Sequence, residues 1–93
     1  MDEPVEVPIG PELDLHSFAP ADIRSVVEEY LAEAAARGLT EVRLVHGRGR
    51  GVQRGVVQAT LDRHPLVTEF WDDPSSHLGA TIARLAVGRQ EPP

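Results

Sequence analysis

Apolar positions along this chain change period several times, and each change marks an element. Residues 12–16 alternate, with Leu13 and Leu15 on one face and Asp14 and His16 on the other, which predicts a half-buried strand. From Pro20 the period lengthens: Ile23, Val26, Val27, Tyr30, Leu31 and Ala34 form an unbroken helical stripe that Gly38 ends as a C-cap. Ala19 is a poor N-cap for that helix, and Asp22 near its start compensates only through the dipole. Residues 41–46, with Val42, Leu44 and Val45, predict a second strand that empties directly into His46-Gly47-Arg48-Gly49-Arg50-Gly51. Val52, Val56, Val57, Thr60 and Leu61 then recur at helical spacing up to Arg63, although Gly55 costs about 1 kcal/mol relative to Ala mid-helix. Pro65 closes that helix. Residues 67–71 and 80–85 predict two short strands around a loop that holds Pro74, Ser75 and Ser76.

The order β-α-β-α-β-β predicts an α/β two-layer sandwich: a four-stranded mixed sheet with two helices on one face, joined by right-handed crossovers. The pattern does not specify strand order. At 93 residues the chain holds one domain. Residues 1–11, with Pro4, Pro8, Gly10, Pro11 and three acids, read as a flexible acidic arm; residues 12–87 form the domain and 88–93 a frayed tail. With no cysteine, a disulfide scaffold, a thiolate zinc site and a cysteine nucleophile are excluded. No apolar run approaches the roughly 20 residues of a membrane span, and the acidic start is unlike a signal peptide, so a soluble, cytoplasmic, monomeric protein with no membrane partner is expected.

Charge changes this picture locally. The net charge is −6, from fifteen acids against nine arginines and no lysine, which argues against a non-specific nucleic-acid coat. Yet residues 42–61 carry Arg43, Arg48, Arg50 and Arg54 with no acid, while the remainder sets five arginines against all fifteen acids. A domain so divided restricts where a phosphate backbone can land. A solvated basic helix start would produce the same count.

The glycine-rich passage lets backbone N–H groups converge where a helix begins, and Arg48 and Arg50 add side-chain forks, a suitable cradle for a phosphate. It lacks the third glycine of a dinucleotide fingerprint and the Lys-Ser/Thr pair of a triphosphate loop. Asp14 beside His16 is either a surface pair or an oriented general acid or base. His46, at the end of a neighbouring strand, could bring a second imidazole to the same place. Two imidazoles, a carboxylate and an anion cradle suit phosphodiester cleavage. His64 beside Pro65 reads as a helix-end residue, and His77 lies in a loop that could approach the same edge. Phe70 and Trp71 must point to opposite faces, one as core and the other as cover or as a stacking surface for a base. None of the four histidines has the i, i+4 spacing of a helical zinc site, and the metal question stays open.

Taken in order, Leu13-Asp14-Leu15-His16, the amphipathic helix, the His46–Gly51 loop and Gly79-Ala80-Thr81 resemble a small MutS-related (Smr) domain over about residues 12–86. The chain departs from the family pattern at Ser17, where glycine is usual, and at Ser76 and His77, where a glycine pair is usual. The resemblance implies a nucleic-acid endonuclease that nicks or cleaves DNA or RNA. Its motifs fall on Asp14 and His16, on His46 to Gly49, and on Gly79 and Thr81; with the basic segment added, Asp14, His16 and His46 are the catalytic candidates and Gly47, Arg48, Gly49, Arg50, Gly51, Arg54, Gly79 and Thr81 the phosphate-binding ones. The alternative is a non-catalytic module of repair, recombination or ribosome rescue that binds nucleic acid, branched or single-stranded, or a ribosome or repair-protein partner. RNA supplies its own 2′-OH nucleophile and requires no cofactor, whereas DNA needs an activated water, for which Mg²⁺ or Mn²⁺ at Asp14 is the candidate.

Overall fold

A computed structural model describes residues 9–49 and 51–86. The elements follow the predicted order: β1 (Glu12–Asp14), α1 (Ile23–Ala36), β2 (Glu41–Val45), α2 (Val52–Arg63), β3 (Val67–Asp72) and β4 (Ala80–Leu85). The strands lie in the order β1-β2-β4-β3, with β1 parallel to β2 and the other neighbours antiparallel. This is the four-stranded mixed sheet with two helices that the pattern predicts.

Register divides the sheet into two faces. Leu13 pairs with Leu44, Leu44 with Thr81, Val42 with Ala83 and Ala83 with Phe70, so these residues share the face turned to the helices. Leu15, Ile23, Val27, Leu31, Leu44, Val57 and Leu61 are buried and form one cluster with Val42, Ala83 and Leu85. Each such side chain contributes about 1.5–3 kcal/mol of transfer free energy, which outweighs the weak helix starts. Those starts are weak as read: neither Ala19 nor Asp22 supplies a side-chain cap, and a 3-10 turn over Pro20–Asp22 leads into α1 instead. Gly38 ends α1 as predicted, at φ +85°, while its own N–H and that of Leu39 bond back to the carbonyls of Ala35 and Ala34.

Three local expectations shift. The regular part of β1 ends at Asp14, although the Leu15 N–H still bonds the Val45 carbonyl at 2.9 Å. Val52, assigned to the apolar stripe of the second helix, is exposed at the first position of α2, where it lines a surface cleft instead of the core. The chain is already docked at Ile9, within the expected arm: Ile9 packs on the core, the Tyr30 hydroxyl donates to the Gly10 carbonyl at 2.6 Å, and the Arg43 N–H bonds the Pro11 carbonyl at 2.7 Å. The rest of the arm and the tail from residue 87 lie outside the described residues.

Candidate functional site

Because β1 and β2 are parallel, both end at one edge of the sheet, and the register Asp14 to Val45 to Ala80 brings the start of β4 to that edge as well. Three loops therefore meet there: the turn after β1 with His16, the His46–Gly51 loop, and residues 77–79 ahead of β4. The last two are stitched together by the Gly79 carbonyl, which accepts the N–H groups of His46 at 3.0 Å and Gly47 at 2.9 Å.

His16 is exposed on this edge. Its Nδ1 lies 2.7 Å from Asp14 Oδ1, which also accepts the His16 backbone N–H at 2.9 Å. A carboxylate only accepts, so Nδ1 donates, and in the neutral ring Nε2 keeps its lone pair. Those two bonds, the backbone one first, hold the Asp14 carboxyl below its ordinary value. Nε2 bonds no other group among the described residues and lies beside Gly47, where a β-carbon would stand 4.0 Å from it. It opens on a cleft of about 490 Å³, lined also by Arg48, Val52, Gln53 and the loop glycines.

His46 occupies a different environment. At 5% exposure it is buried, its Nδ1 lies 3.0 Å from the Gly47 carbonyl and its Nε2 2.9 Å from Thr81 Oγ1. The carbonyl requires Nδ1 to donate, so with the ring neutral the Thr81 hydroxyl donates to Nε2, and it accepts from Gln58 Nε2 at 3.0 Å. Gln58 also donates to Asp72 Oδ1 at 3.0 Å, and Arg54 grips the Asp72 carboxylate with two bonds of 2.7 Å. The Arg54 guanidinium, more than the Gln58 bond, holds the Asp72 carboxyl below the usual range against the opposing effect of burial. Both ring nitrogens of His46 are thus committed to the fold, through a polar chain that ends on the partly exposed Arg54–Asp72 pair.

The expected cradle is smaller than the glycine count suggests. The N–H groups of His46 and Gly47 serve Gly79, and that of Gly51 serves the Arg48 carbonyl at 3.1 Å. Among the described residues no protein acceptor meets the N–H groups of Gly49, Val52 or Gln53, and Gly51 enters α2 at φ +81° without a side-chain cap. The basic segment is also largely answered. Arg54 is paired with Asp72, and Arg43 with Asp73 at 2.6 Å and Glu12 at 3.4 Å. Arg48 is exposed, pairs with no carboxylate among the described residues, and lies along Gly79, where a β-carbon would come within 3.5 Å of its Cγ. Arg50 lies outside the described residues.

Among the described residues no group of three or more His, Cys, Asp and Glu side chains is gathered to hold a metal ion. Asp14 is already bonded to His16, and Asp72 and Asp73 near the start of β4 are taken by Arg54 and Arg43, a poor donor set for Mg²⁺ or Mn²⁺. His64 Nδ1 accepts the Leu66 N–H at 3.1 Å, and Trp71 lies on the open face of the sheet under the Arg84 guanidinium, 5.2 Å from its ring centroid. Sequence reasoning missed Gln58 and Asp72. Both carried a signal: Asp72 continues the inward alternation of Phe70, and Gln58 stands one helical turn beyond Arg54.

The family model of the Smr domain matches residues 13–86. Endonuclease MutS2 of Pelotomaculum thermopropionicum is 36% identical over 80 residues, which cover 84% of this chain and 10% of that protein. Endonuclease MutS2 of Thermomicrobium roseum is 35% identical over 82 residues, 85% of this chain and again 10% of the relative. The chain thus spans about a tenth of the length of these curated relatives. The crystal structure of the Smr domain of Thermus thermophilus MutS2 matches with a TM-score of 0.78 at 34% identity, covering 83% of this chain and 99% of that one. YdaL, a stand-alone small MutS-related protein from Escherichia coli, matches with a TM-score of 0.73 at 25% identity, covering 81% and 63%.

Proposed function

The chain belongs to the Smr domain family, and from that membership we propose that it is a nucleic-acid endonuclease whose general base is His16. The observation that carries this reading is the Asp14–His16 pair at the mouth of the cleft, with Nε2 bonded to no other described group and beside the glycine loop. Asp14 fixes the tautomer and steadies the imidazolium that forms when Nε2 takes a proton. On RNA that proton comes from the 2′-OH, whose oxygen attacks the adjacent phosphorus while the 5′ oxygen leaves, closing a cyclic phosphate. On DNA a water takes the place of the 2′-OH. Arg48 and the amides of Gly49 and Val52, which meet no protein acceptor among the described residues, face the charge that builds on the phosphoryl oxygens. Arg50 is a further phosphate contact in this reading. His46 and Thr81, expected at the chemistry or on the phosphate, act here by holding the loop, because the ring and the hydroxyl are bonded within the protein, and Arg54 ties α2 to β3 through two bonds to Asp72.

One observation favours a second reading. With His46 committed, the described residues that line the cleft offer one free imidazole and no second proton-transfer group, which suits a module that binds nucleic acid without cutting it.

The test incubates the protein with matched labelled DNA and RNA, single-stranded, duplex and branched, with and without EDTA, beside His16→Ala. Cleavage that His16→Ala abolishes while binding persists is the expected result. Salt-sensitive binding with no cleavage by either protein would replace the nuclease by the binding module.

A further inference from the structure

The described residues leave three large apolar side chains exposed, and all three stand at the site edge, two on its loops and one at the first position of α2. Phe18 is 37% exposed on the turn after His16, Val52 is 64% exposed in the wall of the cleft, and Leu78 is 51% exposed on the loop ahead of β4. Single exposed apolar residues need no explanation, but the gathering of every such residue at one edge does. Leu78 is the most telling. It follows His77 in a left-handed conformation, at φ +71° after φ +53°, which costs a residue with a β-carbon roughly 1–2 kcal/mol. The surrounding loop enforces it. Ser76 Oγ accepts the N–H groups of Gly79 and Ala80 and donates to the Asp73 carbonyl, while the Asp73 carboxylate is held by Ser75 and Arg43. A glycine or asparagine at position 78 would relieve the strain, and no core contact rewards leucine there.

Resting on the proposed nucleic-acid function, we infer that Phe18, Leu78 and Val52 form an apolar rim that receives an unpaired nucleobase beside the phosphate held at Arg48. Charge complementarity selects the occupant: the exposed Arg48 in the cleft wall attracts an anion, and Val52 in the same wall, with Phe18 and Leu78 on the two flanking loops of this edge, offers a flat apolar face a partner. A nucleotide offers both, one bond apart. In a duplex the base face is buried in the stack and only phosphate is offered, so the rim makes single-stranded or locally opened nucleic acid the preferred substrate class.

The experiment measures fluorescence anisotropy of a 5′-labelled 12-nucleotide oligo(dT), the same strand with abasic sites, and its duplex with oligo(dA). The proteins are the full chain and its Phe18→Ala, Phe18→Tyr, Leu78→Asn and Arg48→Ala variants. Leu78→Asn keeps the left-handed residue affordable, and Phe18→Tyr keeps the ring. The inference expects the wild type to favour the single strand over both the duplex and the abasic strand. It expects Phe18→Ala to lose about tenfold for the single strand alone, Leu78→Asn about threefold, and Phe18→Tyr to bind as wild type. Equal loss on all three ligands, or no loss, with unchanged thermal melting, overturns the rim and leaves the phosphate site standing. Binding by none of the ligands, or binding indifferent to Arg48→Ala, overturns the nucleic-acid reading beneath it.

Discussion

Two histidines approach the same glycine loop from opposite environments. His16 stands outside, bonded through Nδ1 to the exposed Asp14, with Nε2 open to the cleft. His46 stands inside, with one nitrogen on a backbone carbonyl and the other on a fully buried threonine. Each donates from Nδ1, yet among the described residues only His16 has a nitrogen to spare. The difference teaches that residue type and motif do not assign a role here; the hydrogen bonds left over after folding do.

The largest effect expected from that contrast is on turnover. His16→Ala should lower cleavage by about 10²–10⁴-fold, as loss of a general base does, with the melting temperature unchanged because the side chain is exposed. Single-turnover kinetics and a thermal melt read the two quantities. Next in size is Thr81→Val, which leaves His46 Nε2 and Gln58 Nε2 without their shared hydroxyl at about 1–3 kcal/mol. For a domain of this size each kcal/mol lowers Tm by about 4–8 °C. If Thr81→Val melts as the wild type does, the buried chain is not a strut. Gly55→Ala provides the counterweight: a β-carbon there meets nothing within 4 Å, so it should raise stability by about 1 kcal/mol and keep weakened variants folded for assay.

Smaller effects sharpen the comparison through charge. Asp72 and Asp14 are both held below their ordinary value of 3.8, the first chiefly by Arg54 and the second by His16. A lowered carboxyl contributes stability that is complete above its unfolded value and disappears as pH falls through its folded one. Melting temperature should therefore be insensitive to these groups from neutrality to about pH 4 and fall below it, and Asp72→Asn should flatten that fall. The smallest effect is on binding: Arg48→Ala should reduce the salt slope of nucleic-acid affinity by about one ion, whereas Arg54→Ala, whose charge Asp72 already answers, should leave the slope nearly unchanged.

The layered α/β fold was legible in the sequence because its signals are local: periods of two and 3.6, Gly38, Pro65, and the loop residues before β4. Strand order was not, since nothing local tells β4 to insert between β2 and β3. At the site, the adjacency of Asp14 and His16 followed from strand alternation alone. The fates of Arg43 and Arg54 did not, because their carboxylate partners lie 30 and 18 residues away, and a count of charges over residues 42–61 cannot see them. The same blindness made the glycine loop look richer in free amides than it is, since the carbonyl that takes two of them belongs to Gly79.

The most direct test of the central claim is a single-turnover cleavage measurement on His16→Ala and Thr81→Val, each corrected for its folded fraction at the assay temperature. The account predicts that folded Thr81→Val cleaves within a few-fold of the wild type while His16→Ala does not cleave. A His16→Ala protein that retains its rate, or a fully folded Thr81→Val protein that has lost it, would contradict the division of labour between the two histidines.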